Sequence, residues 1–209
     1  MEKLAVLVAN GQRPNHPKIM QILKDAEEII CVDNGYEIVQ KLNIIPSVLI
    51  GDLDSVNLDS VNQNVEVVKK ENQNLSDLEK ALHYCIEKNF TKIYLIGSTG
   101  LRDDHNLANL MLITDFIEKL DITVLSDEYE INAIKGKMKF SCKKGTQISL
   151  ISIDANNQVT TNGLKYNLNN EALRSSSQGL SNLVIEDNFS IESVKPLLLF
   201  RKLFRIKSR

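Results

Sequence analysis

The first feature of the sequence is a regular alternation of strand-like and helix-like segments that continues to about residue 125. The strand-like segments are the runs LAVLVA, IICV, SVLI, VEVV, KIYLIG and ITVL. Most of them are apolar at consecutive positions, which is typical of strands that are buried on both faces. Because helical patterns separate them, this part of the chain is predicted to form a doubly wound parallel α/β sheet.

Specific residues mark two helix starts. Pro17 is suited to the first position of a helix, and apolar residues follow it at helical spacing. Ser76 opens the sequence SDLE, which is a capping box, and the apolar residues after it share one helical face. A further amphipathic helix is predicted within HNLANLMLITDFIEKL.

From about Ser126 the pattern changes to short strand-like runs, such as QISLISI, QVTTNG and NLVIED, separated by Asn, Gly, Asp and Ser. This pattern predicts a C-terminal antiparallel β-sandwich. We therefore divide the chain into an α/β domain, residues 1–128, and a β-sandwich domain, residues 129–209. The basic C-terminal segment FRKLFRIKSR is predicted to be a solvated tail.

The composition limits the class of protein. Of 209 residues, 43% are apolar and 25% are charged, and the formal net charge of -2 gives no reason to expect nucleic-acid binding. The three cysteines lack CxxC spacing, which argues against a disulfide framework or a zinc site. No apolar run approaches the ~18 residues of a membrane span, and the N-terminal run is too short for a secretory signal. The protein is predicted to be cytoplasmic.

Acidic residues and glycines follow the second and third predicted strands. Asp33 and Gly35 come after IICV, and Asp52 and Asp54 come after SVLI, at the carboxyl ends where open α/β sheets bind ligands. Residues at i and i+2 of a strand share a face, so two carboxylates there repel each other unless a cation lies between them. With Asp77 in the first turn of the capped helix, they predict a Mg²⁺ site shared with phosphates. Taken singly, Asp33 also suits a turn and Asp77 a helix dipole.

A glycine-rich segment, GSTGLRDDH, follows another predicted strand. Its backbone N–H groups are suited to contact phosphate, and Arg102 supplies a positive charge. Asp104 is either a helix N-cap or a further carboxylate of the site. His105 is expected to lie next to the site. The chain has neither GxxxxGK[ST] nor GxGxxG, so a P-loop or a standard dinucleotide fingerprint is not predicted.

Several of these motifs occur in an order that resembles one family. They are DNG, P-x(4)-GDLDS, SD opening a helix with Glu two residues later, G-x-T-x-x-R-x-DH-x-LAN, GLKYNL and GLSN, running from Asp33 to Asn182. This ordered set resembles the thiamine pyrophosphokinase family. The resemblance implies an α/β domain that binds ATP, a β-sandwich that helps to bind thiamine, and a homodimer with sites shared between subunits.

The resemblance also implies a reaction and residue roles. The reaction is transfer of pyrophosphate from ATP to the thiamine hydroxyl with Mg²⁺, which gives thiamine diphosphate and AMP. The implied roles are metal binding and catalysis for Asp52, Asp54 and Asp77, catalysis for Asp104, and phosphate binding for Arg102. Nucleotide contacts are implied for Asp33, Gly35, Gln73 and Thr99, and thiamine contacts for Ser181 and Asn182.

The chain departs from the family pattern at three positions. Asn74 stands where an acidic residue is usual, and Leu101 stands where glycine is usual in the phosphate loop. Val184 stands where an aromatic residue commonly stacks on thiamine, so Val184 is expected to line the thiamine pocket, with Tyr166 or Phe189 as alternative stacking residues. Two other functions stay open: a metal-dependent pyrophosphotransferase or pyrophosphohydrolase using another acceptor, and a non-catalytic nucleotide or thiamine diphosphate sensor.

Overall fold

A computed structural model describes residues 2–54, 56–174 and 177–204 of the chain. Internal contacts divide these residues into two units. The first unit holds the described residues up to Leu112 together with Glu118–Asp127. The second unit holds Ile113–Ile117 and the described residues from Glu128 onward.

The first unit contains a parallel sheet. Its strands are β1 (Leu4–Val8), β2 (Ile29–Val32), β3 (Val48–Gly51), β4 (Glu66–Lys69), β5 (Lys92–Ile96) and β6 (Asp121–Leu125). They lie in the order β6-β5-β1-β2-β3-β4, and each neighbouring pair is parallel. The order of connection reverses between β1 and β5, which is where open α/β sheets form their ligand crevice.

The helices of the first part of the chain are α1 (Pro17–Asp25), α2 (Tyr36–Gln40), α3 (Asp77–Glu87) and α4 (Asp103–Asp115). α1 and α3 begin where the sequence predicts, and α4 begins two residues before the predicted segment, which starts at His105. Pro17 occupies the first turn of α1, and the His16 side chain caps this helix by accepting a hydrogen bond from the Lys18 amide. The predicted N-cap is confirmed at α3, where the Ser76 hydroxyl accepts from the Glu79 amide at 3.2 Å.

The second unit consists of antiparallel strands. They are β7 (Tyr129–Ser141), β8 (Gln147–Ser152), β9 (Gln158–Asn162), β10 (Glu171–Ala172), β11 (Asn182–Leu183) and β12 (Asn188–Lys202). β12 pairs with β7 along its length, with β9 on its other edge over Ser190–Ser193 and with β8 over Leu197–Arg201. A register shift between Ser193 and Leu197 separates these two branches, and apolar residues of both branches form one buried core.

The predicted fold class is confirmed, because a parallel α/β sheet precedes antiparallel strands. The two longest strands, β7 and β12, were not predicted. The prediction of a solvated C-terminal tail is wrong for Phe200–Lys202, because these residues of β12 pair with β7. Residues 205–209 of that segment lie outside the described residues. None of the helices in the described residues combines the length and apolar character needed to cross a membrane.

Candidate functional site

The acidic segment after β3 is a loop rather than a continuation of the strand. β3 ends at Gly51, and Leu53 has a left-handed backbone with φ 66°. The argument that Asp52 and Asp54 share a strand face is therefore wrong. The loop itself brings them together, because the Asp54 amide donates a hydrogen bond to Asp52 Oδ1 at 3.2 Å.

Asp77 joins this segment from the N-terminus of α3. The Asp52 amide donates to Asp77 Oδ1 at 3.2 Å, so the three predicted carboxylate residues form one connected group. Lys80 donates to the same Asp77 oxygen at 2.9 Å, and its side chain is only 4% exposed. The sequence analysis missed Lys80, although its i+3 spacing from Asp77 on a capped helix was a usable signal.

The donor set of this group suits Mg²⁺ only together with a substrate. Among residues 2–54, 56–174 and 177–204, no three His, Cys, Asp or Glu side chains are placed to hold a metal ion by themselves. Mg²⁺ is usually bound by one or two carboxylates, with substrate phosphates and water completing the coordination. Half-buried Asp52 and exposed Asp54 fit that requirement.

Asp33 and Gly35 lie beside the acidic loop at the carboxyl end of β2. Asp33 is the first residue of a short 3-10 turn, and a Cβ added to Gly51 would lie 3.3 Å from the Asp33 Cβ. A Cβ added to Gly35 would lie 2.1 Å from the Val8 carbonyl oxygen, so only glycine fits there. Gln73 is exposed in the segment that precedes α3.

The loops after β1 and β5 meet at the point where the strand order reverses. The Gln12 amide donates to the Thr99 carbonyl at 2.8 Å. A Cβ on Gly11 would lie 2.2 Å from the Gly97 carbonyl oxygen, so these two loops approach at backbone distance. Thr99, predicted to contact the nucleotide, is half-buried in this arrangement.

Two asparagines of α4 fasten the loop after β5. Asn106 Oδ1 accepts a hydrogen bond from the Gly100 amide, and Asn109 Nδ2 donates to the Ser98 carbonyl, both at 2.9 Å. The sequence analysis gave neither side chain a role. It also missed the loop after β1, where exposed Arg13 forms no ion pair or hydrogen bond with the described part of the chain.

Arg102 and Asp104 form an exposed bidentate ion pair. Arg102 Nε lies 3.1 Å from Asp104 Oδ1, and Nη2 lies 2.7 Å from Oδ2. The hydrogen bond from Arg102, followed by that from the His105 amide, lowers the pKa of Asp104 to about 2. Because α4 begins at Asp103, Asp104 lies inside the first turn and is not the N-cap.

In the second unit, Asn182 holds the backbone of Tyr166, and Ser181 precedes it in the chain. Ser181 is exposed, with φ 57°, and its hydroxyl accepts from Gln147 at 3.1 Å. Asn182 accepts from the Tyr166 amide at 3.1 Å and donates to the Tyr166 carbonyl at 2.6 Å. Asn182 therefore fixes the position of Tyr166, whose side chain is 64% exposed.

The expectation that Val184 lines a ligand pocket is wrong. Val184 is 1% exposed and belongs to the core of the second unit, where it forms an isolated bridge with Leu164. Phe189 is also 1% exposed and stacks on Phe140 with ring centroids 5.0 Å apart. Of the aromatic residues considered, Tyr166 is the one whose side chain is exposed, and the Lys165 Nζ lies 5.3 Å from its ring centroid.

The cysteines take no part in this arrangement. Cys31 and Cys85 are buried, and burial raises the pKa of both thiols, that of Cys85 to about 12. A buried thiol with a raised pKa does not supply a thiolate nucleophile at neutral pH. Neither Cys31 nor Cys85 is therefore a candidate nucleophile.

Two family models match the chain. The model of the thiamin pyrophosphokinase catalytic domain matches residues 19–125, and that of its vitamin B1 binding domain matches residues 128–198. The chain belongs to the thiamin pyrophosphokinase family. The thiamine pyrophosphokinase of Bacillus subtilis is 26% identical over 204 residues, which cover 92% of this chain and 95% of that relative.

Solved structures of thiamin pyrophosphokinases have the same fold. A crystal structure of the Bacillus subtilis protein has a TM-score of 0.79 and covers 97% of this chain and 100% of that one. One from Geobacillus thermodenitrificans, at 22% identity, has a TM-score of 0.80 and covers 97% and 99%. Thiamin pyrophosphokinase 1 of Caenorhabditis elegans is 25% identical over 142 residues, 61% of this chain and 58% of that relative. Thiamin pyrophosphokinases are transferase enzymes.

Proposed function

We propose that this member of the family transfers pyrophosphate from ATP to the hydroxyl group of thiamine and produces thiamine diphosphate and AMP, with Mg²⁺. The observation that carries the proposal is the connected group of Asp54, Asp52 and Asp77 at the carboxyl ends of the parallel strands. Such a group has oxygen ligands at the place where α/β sheets bind nucleotides.

The reaction forms one bond and breaks one. The thiamine hydroxyl oxygen attacks the β-phosphorus of ATP, and the bond from that phosphorus to the oxygen shared with the α-phosphate breaks, so that AMP leaves. Asp77 is suited to accept the hydroxyl proton or to orient the hydroxyl group. Asp52 and Asp54 would hold Mg²⁺, which, when bound, offsets the charge on the phosphate oxygens.

The remaining residues are assigned to binding. We assign nucleotide contacts to Asp33, Gly35, Gln73 and Thr99, phosphate contacts to Arg102, a catalytic role to Asp104, and thiamine contacts to Ser181 and Asn182. Arg13 is a further candidate for phosphate, because its charge has no partner among the described residues, whereas that of Arg102 is neutralised by Asp104.

The assembly and location are also part of the proposal. Residues 1–128 would bind ATP and residues 129–209 would bind thiamine, in a cytoplasmic homodimer whose subunits share their sites. The family likeness supports the two substrates, since one family model describes a catalytic domain and the other a vitamin B1 binding domain.

The deciding experiment measures AMP formed from ATP and Mg²⁺ with and without thiamine. We expect AMP and thiamine diphosphate in equal amounts, only when thiamine is present. AMP that forms equally without thiamine would replace the proposal with a pyrophosphohydrolase. Binding of both ligands without turnover would indicate the sensor, an alternative that Asn74 in place of an acidic residue favours.

A further inference from the structure

Lys80 is a charged side chain in an unusual environment. Its side chain is 4% exposed, although it lies on α3 one turn from the helix start. Burial of an ammonium group is unfavourable unless the charge is paired. Among the described residues, its one ion-pair and hydrogen-bond partner is Asp77, whose Oδ1 lies 2.9 Å from Nζ.

Asp77 uses the same oxygen for both of its contacts. Oδ1 accepts from Lys80 and from the Asp52 amide, and Oδ2 forms no hydrogen bond with the described part of the chain. Two donors on one oxygen fix the rotation of the carboxylate. They also leave the second oxygen for a substrate group or a metal ion, because the Asp77 side chain is 29% exposed.

Lys80 differs from the lysines that form ordinary helix ion pairs in this protein. Lys41 pairs with Glu37 at 2.9 Å, but those side chains are 61% and 52% exposed. Exposed pairs of this kind contribute little to stability, and a buried pair is often no better for stability than apolar residues. A buried lysine that contacts an acidic site is therefore better explained by what it does to the carboxylate.

We propose that Lys80 is a positioning residue, which orients Asp77 through Oδ1 and offsets one of the three carboxylate charges of Asp52, Asp54 and Asp77. The inference rests on the proposed function, since it concerns the same reaction. Lys80 does not itself contact the substrate. It acts through Asp77, so its effect should disappear when the Asp77 carboxylate is removed.

The experiment compares four proteins: the wild type, Lys80→Met, Asp77→Asn and the double variant. In Lys80→Met we expect kcat to fall by about 10- to 100-fold, as for other residues that orient catalytic groups, and KM for ATP and for thiamine to change by less than about threefold. In the Asp77→Asn background, Lys80→Met should change kcat by less than about threefold. Lys80→Arg, which keeps the charge, should retain more activity than Lys80→Met.

A matched control is Lys70→Met. Lys70 lies outside α3 and pairs with Glu87 of α3 at 3.4 Å. Its side chain is 36% exposed, which is more than that of Lys80. The Lys70 side chain forms no hydrogen bond or ion pair with the three aspartates among the described residues. Lys70→Met should leave kcat and KM unchanged.

Melting temperatures of the four proteins test the pair without turnover. Each single variant should melt below the wild type. The double variant should melt above Asp77→Asn, because Asp77→Asn leaves the Lys80 ammonium buried without its partner and the double variant removes that ammonium. Additive losses of kcat or of melting temperature in the double variant would overturn the inference. If the wild type makes no AMP with thiamine, the proposed function fails, and the melting temperatures then test only whether Lys80 and Asp77 are coupled. An active wild type with additive losses of kcat would overturn the role of Lys80 alone.

Discussion

Leu53 explains why the acidic loop has its shape. A left-handed backbone costs a residue of this kind roughly 1–2 kcal/mol. Its side chain is 7% exposed and packs in the core of the first unit, and burial of a leucine returns about 1.5–3 kcal/mol. The core thus holds the residue between two carboxylates in a conformation that turns the chain. The distance between Asp52 and Asp54 is a consequence of that packing.

The first prediction at the residue scale concerns these carboxylates. Asp52→Asn and Asp54→Asn should each lower kcat by about 100-fold or more, because removal of a metal ligand withdraws several kcal/mol of charge stabilisation. The melting temperature should change little. Asp59→Asn is the control, since Asp59 is an exposed acidic residue of the same connection and should change activity by less than about twofold. Near wild-type rates in both variants would rule out the cation site.

Tyr166 carries the second residue-scale prediction. Its side chain is exposed and its backbone is held by Asn182, and an aromatic face contributes about 0.5–2 kcal/mol to binding of a flat cation. Tyr166→Ala should therefore raise KM for thiamine several-fold and leave KM for ATP unchanged. Phe204→Ala, at an aromatic residue 53% exposed in the same unit, should change neither constant. An unchanged thiamine constant in Tyr166→Ala would remove Tyr166 from the thiamine site.

At the scale of elements, the sequence predicted what depends on neighbouring residues. The capping box at Ser76 and the proline start of α1 are local signals, and both helices begin as predicted. The sequence did not predict strands β7 and β12, because the alternation of apolar and polar residues in them is interrupted. In β12, Pro196 lies within the register shift, and proline inside a run ordinarily argues against a strand.

The site was predicted only in part, because some of its contacts depend on which strands are neighbours in the sheet. The carboxyl-end rule places Asp33, Asp52 and Thr99 at one edge of the sheet without any knowledge of strand order. The contact of Gly11 with Gly97 depends on β1 and β5 being neighbours, which the alternation of strands and helices leaves undetermined. Lys80 was missed because its i+3 spacing from Asp77 indicates an ion pair but does not indicate that the side chain is buried.

The element-scale prediction tests the meeting of the two loops. Gly11→Ala places a Cβ about 2.2 Å from a backbone oxygen of Gly97, which cannot move as a flexible side chain does. We expect overpacking to cost about 1–3 kcal/mol of stability. KM for ATP should rise by about tenfold if the displaced loops form the nucleotide site. Melting curves and steady-state kinetics provide the measurements.

Gly145→Ala is the control for this prediction. Gly145 has φ 82° in the second unit, and a Cβ there would meet nothing within 4 Å. Alanine should cost about 1 kcal/mol through its backbone conformation alone. KM for ATP should stay at the wild-type value. If Gly11→Ala also leaves that constant unchanged, the loops after β1 and β5 do not form the nucleotide site.

At the scale of the whole molecule, the proposed substrates are divided between two units of different architecture. The catalytic-domain model ends at residue 125 and the vitamin B1 model begins at residue 128. Neither unit contains both the acidic group and the Tyr166 segment. Under the proposed function the reaction would need both units, which the proposed homodimer would supply from different subunits.

Mixing two inactive variants tests that arrangement. Asp54→Asn alters the first unit, and Ser181→Trp places a bulky side chain at an exposed position of the second. Each should be inactive alone. If sites are shared in a twofold dimer, a mixed dimer has one intact site of two, so an equal mixture refolded together should recover about a quarter of wild-type activity. A mixture of Asp52→Asn with Asp54→Asn should recover none, because both lie in the first unit. Light scattering that shows only active monomers, or no recovery in the first mixture, would place each site within one chain.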